Sequence, residues 1–212
     1  MNNGSTLQED LSPQFLRKLK KEGIAAIDTE LTGLNPNRDR ICIVQVSDSA
    51  EHGVILRAED WSLARFLKEL LFDKEITKVF HYALVDCSFI LKHIGIEVQK
   101  AYCTKIASKI ARTYVNDHTL YTLVQEFFDI RLDKSKGKSD WLSESITDEQ
   151  LKYAFNDVRY LISIKTRLDD LLARKGMLPT GISYSDFNAQ CQAFIPTLVH
   201  LWINGWDAGF NS

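Results

Sequence analysis

The chain has 212 residues, 45% hydrophobic and 25% charged, which suits one soluble domain large enough to bury a real core. With 26 basic against 28 acidic residues the net charge is −2, which argues against a protein that holds long duplexes by counter-ion release, so a nucleic-acid substrate would be gripped locally. No apolar run reaches the ~20 residues of a membrane span, and the polar stretch 1–10 lacks the apolar segment of a secretory signal, so the default expectation is a cytoplasmic enzyme without a membrane.

Residues 11–23 read as a helix, with Ser12 as N-cap, Pro13 at the first helical position and Gly23 as the stop. The apolar run 24–34 that follows is of strand length and carries Asp28, Thr29 and Glu30 before the turn at Gly33. Strand alternation puts Asp28 and Glu30 on one face and Thr29 on the other. Two such acids are either solvated groups at a strand end or a claw that needs a hard cation or a shared proton between them. Residues 41–46 and 54–57 read as further strands, near enough in sequence to pair antiparallel with the first. A helix over 60–72, a strand over 77–81 and a helix running to about His93 complete a strand-helix-strand unit with a right-handed crossover. Asp86 falls in the first turn of that last helix, where it complements the dipole or adds a third acid to the claw.

Residues 103–114 and 118–128 have helical periodicity. The stretch 131–141 is lysine-rich, either a solvated loop or a phosphate contact. Thr147 and Gln150 form a capping box, and Ile146 and Leu151 a staple, for one long helix reaching about Lys175. On it Tyr153 and Asp157 stand four residues apart, about 40° from one another, so a phenol and a carboxylate enter the same pocket. The cysteines Cys42, Cys87, Cys103 and Cys191 make no C-x-x-C pair and read as small core residues.

The ordered set Asp28-Thr29-Glu30, His81 to Asp86 and Tyr153-Ala154-Phe155-Asn156-Asp157 resembles the three motifs of the DEDDy 3′-5′ exonucleases of the ribonuclease D family. Within it, Asn35-Pro36, Arg38-Asp39-Arg40, Cys103-Thr104-Lys105 and the tail with Phe194, Pro196, Gly205 and Trp206 are similar to the short NanoRNase C group. Where many relatives carry Asn and Phe, this chain has Tyr82 and Val85. The resemblance implies an α/β, ribonuclease H-like mixed sheet flanked by helices, with a 3′-5′ exonuclease domain over 1–175 and a tail over 176–212 that packs on the core or on a neighbouring subunit. It also implies that Asp28, Glu30, Asp86 and Asp157 hold two divalent cations, Mg²⁺ or Mn²⁺, an oxygen-only donor set that suits those ions better than Zn²⁺. Tyr153 would orient the attacking water. Leu31, Thr32, Leu34 and His81 would meet the terminal nucleotide.

The expected activity is release of 5′-mononucleotides from short single-stranded RNA, down to dinucleotides, with DNA as a further possible substrate. Two alternatives stand beside it: ribonuclease D-type trimming of structured RNA 3′ ends, and a non-catalytic nucleic-acid-binding module in which the acids would be lost. With about 40 residues after the exonuclease core, the helical accessory domains of longer ribonuclease D proteins are not expected. The tail is rich in apolar and aromatic residues (Phe187, Phe194, Leu198, Trp202, Trp206, Phe210) and too short for a core of its own. The NanoRNase C resemblance implies that it serves a homo-oligomer, an octamer.

Overall fold

The structure, a computed structural model, describes residues 7–133 and 139–205. The lysine run 134–138 and the tail aromatics Trp206 and Phe210 lie outside the described residues.

The chain opens with strand β1 (Leu7–Gln8) and helix α1 (Pro13–Glu22). The Ser12 hydroxyl accepts from the Phe15 N–H at the start of α1, and Gly23 ends the helix at φ 68°, a left-handed conformation that favours glycine. Strand β2 (Ile24–Leu31) pairs antiparallel with β3 (Ile41–Ser47), and β3 pairs antiparallel with β4 (Gly53–Leu56). The second hairpin therefore extends the first, and β4 does not touch β2 as the sequence reading expected; three strands joined by short turns run as a meander.

The helix expected over 60–72 is two pieces, a 3₁₀ turn (Trp61–Leu63) and α2 (Arg65–Phe72). Asp60 caps the first by accepting from Ser62 N–H. Asp10, distant in sequence, caps the second by accepting from the N–H groups of Phe66 and Leu67 at 2.8 and 2.9 Å. Strand β5 (Thr77–Phe80) lies parallel to β2, and α3 (Ala83–Ile94) follows it. A short strand β6 (Ala101–Cys103), parallel to β5, occupies the position read as the start of a helix, so α4 begins later (Thr104–Ala111).

Among the described residues the six strands form one mixed sheet in the order β1-β4-β3-β2-β5-β6. Helices α5 (Leu120–Phe128), α6 (Asp148–Arg159) and α7 (Leu161–Arg174) follow, then α8 (Tyr184–Ala193) and α9 (Ile195–Asn204). The capping box at Thr147 and Gln150 starts α6, with both reciprocal bonds formed. The long helix expected from there breaks at Tyr160. That ring is buried and stacked on Phe128 at 5.6 Å, while Arg159 pairs with Glu51 at 2.6 Å, and together these contacts redirect the chain without glycine or proline.

The sheet separates two cores. Ala25, Ile27 and Leu31 of β2 face one, packed with α1, α2, α3 and α9. Ala26 faces the other, packed with α4 to α7. Asp28 and Glu30 continue the Ala26 side and Thr29 the Ile27 side, so the acids of β2 emerge beneath α6. In the tail, α9 packs on α3 and α8 packs on α4, α7 and β6 of the same chain. The Gln192 side chain accepts from the Cys103 N–H at 2.7 Å and donates to the Cys103 carbonyl at 3.2 Å, so it closes part of the free edge of β6.

Candidate active site

The site sits at the end of β2, where the sheet pairing changes. The β2–β3 register shifts between Glu30, opposite Ile43, and Leu31, opposite Ile41, so β3 carries one extra residue, Cys42, beside the end of β2. The loop that follows folds on itself: the Asp39 carboxylate accepts from Asn35 N–H and from Arg38, and a Cβ at Gly33 would stand 2.3 Å from an Asp39 oxygen. A side chain there would have to displace the Asp39 carboxylate from these bonds. Arg38 beside it holds the Asp39 carboxyl at about 2.

Beyond the bulge opens a cleft of about 680 Å³, lined by Asp28 to Leu34 of β2 and its loop, by His81, Tyr82, Val85 and Asp86 around the start of α3, and by Ser139 and Trp141. Carboxylate oxygens of Asp28, Glu30 and Asp157 lie within 4.8 Å of one another. Asp157 reaches the pair from α6, one sequence-distant helix crossing over β2.

Asp86 comes from the opposite face of the sheet, on α3, and is 5% exposed. The Thr29 hydroxyl donates to its Oδ1 at 2.7 Å. Thr29, assigned by sequence only to the face away from the acids, is thus the group that fixes the fourth one. Asp86 stands outside the compact three-oxygen cluster, yet close enough for its charge to raise the Asp28 and Glu30 carboxyls.

Burial is the largest cause of the raised carboxyls at all four positions. At Asp28 the charges of Asp86, Asp157 and Glu30 add to it, and at Glu30 those of Asp157 and Asp86 push the carboxyl to about 9. The Thr29 hydrogen bond works against the shift at Asp86. A buried Asp157 Oδ1 has no hydrogen-bond partner among the described residues. An oxygen-only set of mutually repelling acids with an unsatisfied ligand atom fits a hard divalent cation.

Tyr153 is 9% exposed, and its hydroxyl lies 2.8 Å from that of Tyr121 on α5. The Trp141 ring packs against it with centroids 6.2 Å apart. Burial, then the neighbouring Asp157 charge, raises the Tyr153 phenol, so it is neutral throughout the physiological range. His81 bonds through Nδ1 to the Thr104 hydroxyl at 2.9 Å, and burial lowers it to about 3, so it too is uncharged. Leu34 stands at the rim, 67% exposed, while Leu31 is half-buried. Thr32 ties the loop through its N–H to the Arg40 carbonyl at 3.1 Å and accepts from Arg40 N–H at 3.0 Å. Tyr82, absent from the sequence-based site, adopts φ 74° at the head of α3 with the Lys105 ammonium 4.1 Å from its ring centroid.

The 3′-5′ exonuclease family profile matches residues 5–173 of this sequence. The chain belongs to the 3′-5′ exonuclease family. It is similar to Escherichia coli K12 ribonuclease D, 30% identical over 184 residues that make up 86% of this chain and 48% of that one. It is also similar to Gluconacetobacter diazotrophicus ribonuclease D, 31% identical over 93% of this chain and 50% of the relative. The chain thus spans about half the length of the curated ribonucleases D it matches. Among solved structures, Brucella melitensis NrnC superposes with a TM-score of 0.85 at 36% identity, covering 94% of this chain and 93% of that one. That protein has also been solved with bound Mg²⁺ and bound to pGG. Escherichia coli RNase D shares the fold at a TM-score of 0.75, with 24% identity over 92% of this chain and 51% of that one. The fold is therefore the DEDD exonuclease fold, in the ribonuclease D family and similar to NrnC.

Proposed function

We propose that this family member is a metal-dependent 3′-5′ exoribonuclease that degrades short oligoribonucleotides, down to dinucleotides, to 5′-mononucleotides. The observation that carries the reading is the cluster of Asp28, Glu30 and Asp157 oxygens within 4.8 Å of one another beside an open cleft. These three would hold one Mg²⁺ or Mn²⁺, and Asp86, with Asp28 between, would serve a second. Bound there, the cations supply neutralisation of the phosphodiester charge and a lowered pKa for a coordinated water.

The chain's own residues do the rest. Thr29 holds Asp86 in one orientation. Tyr153, neutral, hydrogen-bonded to Tyr121 and packed against Trp141, orients the attacking water as a hydrogen-bonding partner and not as a base. Leu34 offers an exposed apolar surface to the terminal base, with Leu31, Thr32 and the uncharged His81 lining the same cleft. A near-neutral chain gives long RNA little extra grip, and the pGG complex of NrnC supports a short substrate. Phe194, which caps the start of α9, and Trp202 on that helix are exposed with Leu198 between them on the same face, which supports burial of this face in a homo-oligomer, an octamer by the NanoRNase C resemblance. No helix among the described residues is long and apolar enough to cross a membrane, and the reading puts the enzyme in the cytoplasm with its RNA.

The test is turnover of 5′-labelled RNAs of two, seven and thirty nucleotides with Mg²⁺ or Mn²⁺. The expected result is mononucleotide release with the highest kcat/KM on the dinucleotide. Preference for a structured thirty-mer would favour ribonuclease D-type trimming, and binding without hydrolysis under either cation would refute the enzyme. Light scattering tests the assembly, which a monomer at micromolar concentrations would overturn.

A further inference from the structure

Tyr121 belongs to none of the three acidic motifs, yet its hydroxyl lies 2.8 Å from that of Tyr153. The helix that carries it is anchored at both ends. At its start Thr119 accepts from Thr122 N–H, and Asp117 accepts from Thr119 N–H at 2.8 Å and from the Thr122 hydroxyl at 2.7 Å. Further along, Glu126 pairs with Arg112, whose side chain is fully buried. Leu120, Leu123 and Val124 seat the intervening turns in the core. Tyr121 is thus presented from a rigid platform.

A phenol has one proton to donate and lone pairs to accept with. Once one of its bonds is fixed, the remaining capacity points in a defined direction. For Tyr153 the fixed bond is to Tyr121, the Trp141 ring packs against its ring, and Asp157 stands one helical turn along α6. We propose that Tyr121 is a positioning residue for the exonuclease reaction: its hydroxyl sets the direction in which the Tyr153 hydroxyl meets the group it orients. Tyr121 acts through Tyr153 and not on the substrate, and the inference rests on the role given to Tyr153 above.

The experiment is a double-mutant cycle of Tyr121→Phe and Tyr153→Phe, each removing one oxygen and keeping its ring, assayed for kcat and KM on a dinucleotide with Mg²⁺. Loss of one neutral hydrogen bond should lower kcat of Tyr121→Phe by about 3- to 10-fold with KM unchanged. In the Tyr153→Phe background the same change should have no further effect. An equal loss in both backgrounds, a loss confined to KM, or wild-type kcat in Tyr121→Phe beside a slow Tyr153→Phe would overturn this inference alone. Wild-type turnover in Tyr153→Phe would overturn the role of Tyr153 and this inference with it.

Discussion

Replacing Asp28 by asparagine should make the metal-free protein more stable while abolishing its activity. In the folded chain the Asp28, Glu30 and Asp157 oxygens lie within 4.8 Å of one another, and at an effective dielectric of about 20 two unit charges at that separation repel by ~3.5 kcal/mol. A shared proton relieves part of this, so the net relief on neutralising Asp28 is on the order of 2 kcal/mol. For a chain of this size that corresponds to a rise in Tm of roughly 4–8 °C. An asparagine keeps the shape of the side chain, and the backbone pairing of position 28 with Gln45 of β3 does not depend on it. The assay is thermal unfolding of wild type and Asp28→Asn in EDTA and again in millimolar Mg²⁺, with hydrolysis measured alongside. Wild type should gain stability from the cation, because the ligand binds the folded state and not the unfolded one. The variant should start higher, gain little and hydrolyse nothing. An unchanged or lower Tm for Asp28→Asn in EDTA would show that the acids do not repel one another at this site. A full Mg²⁺ response in the variant would remove Asp28 from the metal site.

Metal-free wild type should also lose stability as pH rises. The folded state holds protons on carboxyls raised above their usual range, Glu30 to about 9 and Asp86 and Asp157 to about 7. The unfolded state releases those protons near pH 4, so it binds fewer across the window between, and stability falls with pH there. Thermal unfolding in EDTA at pH 5.5 and 7.5 checks this, with a higher Tm at 7.5 as the contrary result; His81, lowered by burial to about 3, works the other way below about pH 6.5 but is one group against three carboxyls, and Lys78, lowered by burial to about 8, acts mainly above that pH. Thr29→Val removes the hydroxyl that fixes Asp86 and should cut kcat by about 10-fold, with KM nearly unchanged; wild-type kcat would show that Asp86 needs no such anchor. Arg112→Met removes the hydrogen bonds to Ser108 and to the Asp117 carbonyl and leaves Glu126, about a third exposed to water, without its partner, and should cost about 1–2 kcal/mol by denaturant unfolding. A midpoint within experimental scatter of wild type would refute that.

The legible parts of this fold are those in which local chemistry decides the structure. Ser12, Pro13 and Gly23 bound α1 because a cap, a fixed φ and a left-handed stop act within a few residues. The Thr147–Gln150 capping box does the same for α6. Period-two alternation puts Asp28 and Glu30 on a single face, and the spacing of Tyr153 and Asp157 puts both on one side of α6. What stays hidden depends on partners far away in sequence. No residue near Tyr160 announces a break, because the break is made by Phe128 and Glu51. The split before α2 depends on Asp10, and β6 is only three residues long, too short for any alternation to register.

The same division runs through the site. Periodicity sends Thr29 away from Asp28 and Glu30, which makes it look like a bystander, although that direction is the one that matters for the fourth acid. Asp86 stands on α3, across the sheet from α6, and the residue between its neighbours on β2 is the one whose side chain can reach it. An alternating strand flanked by a helix on each face therefore serves both helices at once, with the even positions 28 and 30 meeting Asp157 and the odd position 29 meeting Asp86. A single strand end thereby ties together acids delivered from both layers, and a shift of β2 by one residue would separate all four. The register shift between Glu30 and Leu31 lies just beyond these three positions, so β2 keeps regular pairing where the acids need it and the irregularity falls only where the cleft begins.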